Sequence, residues 1–341
     1  MRFFSALALA AVVAGTVTRK NWALMSQKER DHFTSAVNKL KESGKYDELV
    51  RIHSEAYRTP SPWRDEVPNH LYRNGDQKGP AFLPWHRVQL MMYEEALQKV
   101  SGDNTLAVPY WDYISDSAMS DPKDSLMWSA AHGIGGTGRE DGVVVDGPFA
   151  YWPTKYTDLG EKYLSRTLGL HRDAPSLVSD FLAAYEHDIY DVEPWSGSSK
   201  VGFRNWIEGF YSSRGAGQGA GEGLGNGLSL HAQAHAWIGF SMINSTSPND
   251  PAFYMVHAFT DAMWWSWQAK QQAAHPETTP FDHFEPKTGG PINHNMHDRM
   301  VSLNGATAAD VIDYAKLPYQ YDTLPVPEGF KLPSGEPLSL C

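Results

Sequence analysis

Cysteine is almost absent from this chain, whose 341 residues include one, Cys341, at the last position. An internal disulfide is therefore impossible, although a domain of this length does not need one. After the N-terminus there is no apolar run near the roughly 20 residues that a membrane helix needs. Lys and Arg form no block and the net charge is −11, which argues against a nucleic-acid surface. We expect neither nucleic acid nor a membrane as partner.

The N-terminus carries a processing signal. Arg2 precedes an almost purely apolar run at 3–14, and small residues follow it. Because this run is too short to span a bilayer, residues 1–17 are interpreted as a cleaved signal peptide. The protein is therefore expected to be secreted and extracellular. The sequon at 244–246 (Asn-Ser-Thr) is compatible with secretion but common by chance.

The remaining chain is rich in helical patterns. Ser26 and Glu29 have the spacing of a capping box, and apolar residues then recur at helical intervals up to Gly44. Proline- and glycine-rich stretches at 59–84 and 214–227 predict long loops. The sequence thus favours one mainly α domain at 18–321, with a C-terminal tail at 322–341. The predicted helices cover about 26–44, 46–57, 86–100, 176–191, 231–240, 250–272 and 308–314.

Most of the fourteen histidines need no special explanation, but two groups do. The first group has three members in the C-terminal half of the chain. His231 and His235 are four residues apart, so on a helix they share one face. His257 lies in a strongly apolar segment, where a buried imidazole needs a partner, and a metal can supply one. The HxxxH pattern alone is weak, and it lacks the Glu of zinc proteases.

A second group consists of His53, His70 and His86. His53 ends one predicted helix and His86 begins the next, so an antiparallel pair of helices could bring these two together. Neutral imidazoles from facing helices suit copper, zinc or iron. For each histidine taken singly, a surface or satisfied core position is the competing interpretation.

Two longer motifs are more specific. The segment 82–87 (Phe-Leu-Pro-Trp-His-Arg), followed by Glu94, resembles the first copper signature of tyrosinases, catechol oxidases and molluscan haemocyanins. The segment 247–253 (Ser-Pro-Asn-Asp-Pro-Ala-Phe), which leads to His257, resembles the second. Shorter similarities lie at 109–112 (Pro-Tyr-Trp-Asp) and 319–321 (Tyr-Gln-Tyr), so the matches run in family order from about 53 to 321.

This resemblance implies a four-helix bundle around a dinuclear copper site, with two copper ions called CuA and CuB. It implies His231, His235 and His257 as CuB ligands, and His53 and His86 as the first and third CuA ligands. Phe253 is similar to the aromatic residue that packs near the coppers. Arg87, Asp250 and Asp261 resemble residues that orient the imidazoles, with a surface ion pair or core packing as the alternative.

The pattern departs from the family at the middle CuA ligand. Gln77 stands nine residues before His86, where the family has a histidine. His70 is the one remaining candidate between His53 and His86, and an ordinary surface histidine on a loop is the competing interpretation. If His70 does not bind, CuA is weak or empty and the protein is a degenerate relative.

Further departures concern substrate handling. Ala232 stands where many tyrosinases carry an Asn that helps to deprotonate a bound monophenol, and Val256 where a His is common. Glu222, nine residues before His231, is at the place of a water-positioning Glu in some relatives, but its glycine-rich surroundings favour a solvated carboxylate.

The resemblance therefore predicts copper-dependent oxidation of o-diphenols to o-quinones with O2, with weak or no monophenol hydroxylation. A phenolic small molecule and O2 would be the partners. Full tyrosinase activity, a degenerate site and a non-enzymatic oxygen-binding protein are the alternatives. The segment after Tyr321 is too short for the lid domain that haemocyanin-type chains carry, which favours an enzyme.

Overall fold

Helices make up nearly all of the regular structure of the described residues, as predicted. The computed structural model describes residues 16–58, 79–157, 160–195, 199–213 and 228–326. Within these ranges the helices are α1 (Gln27–Glu42), α2 (Lys45–Arg58), α3 (Phe82–Ser101), α4 (Tyr113–Asp116), α5 (Val178–Tyr185), α6 (Phe203–Glu208), α7 (Leu230–Ile238) and α8 (Ala252–Ala274). Two strands, β1 (Val17–Arg19) and β2 (Tyr319–Tyr321), complete the regular structure of the described residues, together with single 3-10 turns such as Gly79–Ala81.

The start of α1 confirms the predicted capping box. The Ser26 hydroxyl accepts a hydrogen bond from the Glu29 amide, and the Glu29 carboxylate accepts one from the Ser26 amide. The start of α3 was predicted four residues too late. Pro84 lies in its first turn, where the missing proline N–H would have had no helical partner anyway.

Two predicted helices are wrong in extent. The helix predicted at 176–191 is reduced to α5, because the Lys270 ammonium donates to the Tyr185 carbonyl and so caps its C-terminal end. The helix predicted at 308–314 consists of two separate 3-10 turns. Helix α6 was not predicted at all, since its six residues are too few to show a periodic pattern.

The centre of the molecule is α8, which is buried on nearly every side. A helix that is apolar all round belongs in the interior of a large core. Helices α3 and α7 pack against α8, and α2 packs against α3. These four helices form the predicted bundle and carry the candidate histidines.

The two ends of the described chain meet in a parallel pair of strands. Val17, Thr18 and Arg19 of β1 align with residues 319–321 of β2. Arg19 is fully buried, lies over the Tyr319 ring and forms ion pairs with Glu94 and Asp261. This contact ties the ends of the chain to α3 and α8.

Among the described residues, no helix combines the length and the apolar character that crossing a membrane requires.

Candidate metal centre

Five of the six predicted histidines converge inside the four-helix bundle. They come from α2 (His53), α3 (His86), α7 (His231 and His235) and α8 (His257). The ring centroids of His86 and His257 are 4.0 Å apart, those of His231 and His257 4.6 Å, and those of His53 and His86 5.8 Å. The described members of the two groups recognised in the sequence are therefore parts of one cluster.

Three of these imidazoles form a compact triad. The Nε2 atom of His257 lies 3.1 Å from that of His231 and 3.3 Å from that of His235. Metal–imidazole bonds of about 2.0–2.1 Å at tetrahedral angles place ligand nitrogens about 3.3 Å apart. The three ligand atoms thus fit one metal ion, and they form a group able to hold one within the described residues.

Backbone carbonyls determine which ring nitrogen faces the cluster. The Nδ1 atom donates to Ser245 from His53 (2.7 Å), to Phe82 from His86 (2.8 Å), to Glu208 from His231 (3.2 Å) and to Met242 from His235 (2.7 Å). Because a carbonyl can only accept, Nδ1 carries the proton in all four rings. Their Nε2 lone pairs are therefore available to a metal.

His257 is held differently. Its Nδ1 atom is buried and has no hydrogen-bond partner among the described residues. Its ring is stacked on that of His86 at an interplanar angle of 13° and packs against Phe253 at 4.2 Å. Without metal, the Nε2–H form of His257 can donate to the lone pairs of the other two triad members. A metal ion would take the place of that proton, which would move to Nδ1 of the same ring.

Burial keeps the imidazoles neutral. Loss of hydration lowers the pKa of His53 to about 3 and that of His235 to about 4. The pKa values of His86, His231 and His257 are also lowered well below the usual 6.5, first by burial and then by the neighbouring rings. Neutral imidazole is the form that binds metals, so the cluster needs no proton release near neutral pH.

Two phenylalanines enclose the cluster. The predicted Phe253 lies edge-on to His53 at 4.9 Å and tilted against His257. Phe82, part of the first copper-signature motif, lies 4.9 Å from His86 and 4.8 Å from His231. Both rings are buried and therefore keep water from the inner side of the cluster.

The other predicted substrate-handling positions lie in different environments. Ala232 is half-buried and follows His231 on α7, with its methyl group packed close to Gly209. Val256 is fully buried, and successive helical residues point about 100° apart, so its side chain leaves the helix on a different side from His257. His70, Gln77 and Glu222 lie outside the described residues.

The charged residues predicted to orient the ligands form ion pairs and hydrogen bonds that hold the helices in place. Arg87 donates to Asp261 at 2.6 Å and thereby joins α3 to α8. Asp250 accepts from the Ala252 amide at the start of α8 and forms a bidentate pair with Arg166. Arg166 was missed because it lies 84 residues from its partner, outside any motif.

A buried carboxylate next to the cluster was also missed. Glu208 ends α6, and besides its carbonyl bond to His231 its Oε2 atom accepts from the Gly79 amide at 3.3 Å. Arg204, one turn earlier on α6, donates to the same oxygen at 2.9 Å. The periodicity of so short a helix gave no signal for either residue.

Comparison with known proteins agrees with this geometry. The family model for the common central domain of tyrosinase matches residues 43–270. The tyrosinase of Streptomyces glaucescens is 35% identical over 311 residues, which are 89% of this chain and 98% of that protein. The tyrosinase of Streptomyces antibioticus is 33% identical over 87% of this chain and 97% of its own.

A solved structure supports the fold. A polyphenol oxidase variant from Thermothelomyces thermophila superposes with a TM-score of 0.63 at 20% identity, covering 90% of this chain and 88% of that one. Members of the tyrosinase family bind a pair of copper ions, and a cluster of neutral, inward-facing imidazoles suits copper. The chain belongs to the tyrosinase family of copper-containing phenol oxidases.

Proposed function

We propose that this protein oxidises o-diphenols to o-quinones with O2 at a centre of two copper ions, with little hydroxylation of monophenols. The observation that carries the proposal is the convergence of five neutral imidazoles from four helices, four of them with Nδ1 bonded to a carbonyl. Such a donor set adds no anionic charge, which allows a copper ion to change oxidation state.

We assign the ligands as the resemblance implies. His231, His235 and His257 would hold CuB, and His53 and His86, completed by His70, would hold CuA. When bound, the copper pair supplies the exchange of two electrons between a diphenol and O2. The triad spacing near 3.2 Å supports the CuB assignment.

The side from which a phenol approaches follows from burial. His53, His86 and His257 are buried, whereas His231, Ala232 and His235 on α7 are half-buried. A phenolic ring would therefore enter over α7. The chain's part is to hold the imidazoles at fixed positions and, through Phe253, to keep water from the inner side.

The preference for diphenols rests on Ala232. A methyl group can accept no hydrogen bond, so it cannot help to remove the proton of a monophenol. The assay compares the initial rates of the copper-loaded protein on catechol and on tyrosine. Fast hydroxylation of tyrosine without a lag would contradict the preference and favour full tyrosinase activity.

Copper analysis tests the centre itself. We expect close to two copper ions per chain, one fewer in His257→Ala and one fewer in His70→Ala. His32→Ala is the matched control, because this histidine pairs with Asp103 on the surface. One ion per chain in the wild type, unchanged by His70→Ala, would instead show a degenerate protein with an incomplete CuA.

We also propose that the protein is secreted and that the mature chain starts within residues 16–18. The apolar N-terminal run supports this. N-terminal sequencing of protein recovered from the culture medium would decide it. A product that keeps the apolar run would contradict the signal peptide.

A further inference from the structure

Glu208 makes contact with both halves of the histidine cluster. Its backbone carbonyl accepts from Nδ1 of His231 on the CuB side. Its carboxylate accepts from the amide of Gly79, three residues before α3, the helix that carries His86 on the CuA side. One residue therefore touches supports of both proposed copper sites.

Arg204 determines where that carboxylate lies. Its Nη1 atom donates to Glu208 at 2.9 Å, while Nε and Nη2 form a fork on Asp191 at 2.8 and 2.7 Å. Nη2 also donates to the Trp195 carbonyl at 3.3 Å. Arg204 and Asp191 are almost completely buried, so water does not weaken these bonds.

The Gly79–Ala81 turn is held at two further points. The Tyr190 hydroxyl donates to the Pro80 carbonyl at 2.7 Å, and the Ala81 amide donates to Nδ1 of His294 at 3.3 Å. His294 is buried, which lowers its pKa to about 3 and keeps it a neutral acceptor. Three hydrogen bonds thus hold the turn. Of these three, the bond to Glu208 also connects the turn to α7, because the Glu208 carbonyl accepts from His231.

We propose that Arg204 is a positioning residue that fixes the separation of the two copper sites, by holding Glu208 between the start of α3 and His231. The inference rests on the proposed dicopper function. The hydrogen bonds of Arg204 within the described residues go to Asp191, Glu208 and Trp195, and none goes to a candidate ligand imidazole. It acts through Glu208 on the backbone of the Gly79–Ala81 turn and on the ring orientation of His231.

A planar guanidinium is required for this role. Its donors point in fixed directions toward Asp191 and Glu208, on either side of the group. A lysine ammonium keeps the charge but is a single point, and it cannot hold both carboxylates in the same places. Arg204→Lys therefore tests geometry separately from charge.

The first measurement uses the metal-free protein. Amide hydrogen exchange followed by mass spectrometry should show that Arg204→Lys loses protection at 79–81 and at 233–235, the first hydrogen-bonded amides of α7, together. Tyr190→Phe, which removes one bond to the same turn without touching Glu208, should lose protection at 79–81 alone. Arg19→Lys, a buried arginine at the other end of the core, should change neither segment. Unchanged protection at 233–235 in Arg204→Lys would overturn the proposal.

The second measurement uses the copper-loaded, oxidised protein. Two Cu(II) ions at the correct separation couple magnetically and give no EPR signal. We expect an uncoupled Cu(II) signal in Arg204→Lys at unchanged copper content, with kcat on catechol lower by about ten- to a hundredfold and little change in KM. A silent spectrum with normal kcat would overturn the proposal. Wild-type protein with fewer than two coppers would count against the proposed function, while the exchange experiment would still decide the role of Arg204.

Discussion

Gly209 is the position where one added methyl group should disturb the copper centre most. It follows Glu208 at the end of α6 with φ +108°, a conformation that residues with a side chain rarely adopt. A Cβ atom there would lie 2.5 Å from the Ser229 carbonyl oxygen, 2.5 Å from Cβ of Ala232 and 3.0 Å from its amide nitrogen. Two of these three neighbours are backbone atoms at the start of α7, so Gly209→Ala must displace that helix.

Two costs add in Gly209→Ala. The strained backbone costs about 1–3 kcal/mol. Overpacking against atoms that cannot rotate away costs about 1–3 kcal/mol more. The total of about 2–6 kcal/mol is comparable with the whole stability of a typical domain, about 5–15 kcal/mol. Any relief comes from moving α7, and His231 on its first turn then leaves the Glu208 carbonyl.

Gly102→Ala is the matched control. Gly102 also ends a helix, α3, in a left-handed conformation with φ +72°, but nothing lies within 4 Å of its added Cβ. We expect this variant to lose about 1–2 kcal/mol from backbone strain alone. Urea unfolding of the metal-free proteins gives both losses, and copper titration gives the affinity of the triad. Equal losses in the two variants, with unchanged copper affinity, would refute a rigid contact between Gly209 and α7.

Three further predictions concern substrate, core and pH. Ala232→Asn should raise the ratio of tyrosine to catechol turnover, since it restores a polar group beside the proposed CuB; initial rates on both substrates measure this. Arg19→Met should destabilise the protein by about 3–5 kcal/mol in urea unfolding, because Glu94 is left as a buried charge without its ion-pair partner, whereas Asp261 keeps Arg87. Burial lowers the pKa of His294 to about 3 in the folded protein, compared with 6.5 in the unfolded chain. Its contribution to the free energy of unfolding is therefore complete above pH 6.5 and is lost as the pH falls toward 3. In His294→Gln the slope of unfolding free energy against pH in this window should be smaller by up to about 1.4 kcal/mol per unit.

Each of these predictions has an outcome that contradicts it. An unchanged substrate ratio in Ala232→Asn would mean that position 232 does not face the phenol. A loss below about 1 kcal/mol in Arg19→Met would show that water reaches the Glu94 carboxylate. Parallel pH profiles of wild type and His294→Gln would show that the imidazole is protonated in the folded protein.

Local patterns were sufficient for much of the helical framework. The Ser26 capping box and the spacing of His231 and His235 involve neighbours within one helical turn, so the sequence alone determines them. The late prediction of α3 has the opposite cause. Its first turn contains a proline and has no side-chain cap, so no local signal marks the start, and packing against α8 decides it.

Of the site, the sequence predicted the histidines that could bind a metal, but not the groups that orient them. The histidines and the two long motifs are visible in the sequence, whereas the carbonyls of Ser245 and Met242 that orient the rings are not, because any residue offers a carbonyl. Arg166 and Arg204 were missed for a related reason. Their partners are distant in the chain or lie on elements too short to show periodicity.

The printed residues were enough to reveal many histidines in helical segments, a single cysteine and the motifs of a copper family. The tertiary structure decided that His53, His86 and the α7–α8 triad meet, which nitrogen each ring presents, and which charged residues hold the helices in place. The difference lies in how far apart along the chain the interacting residues are. A helical turn relates residues three or four apart, but the meeting of α2, α3, α7 and α8 depends on how the whole core packs.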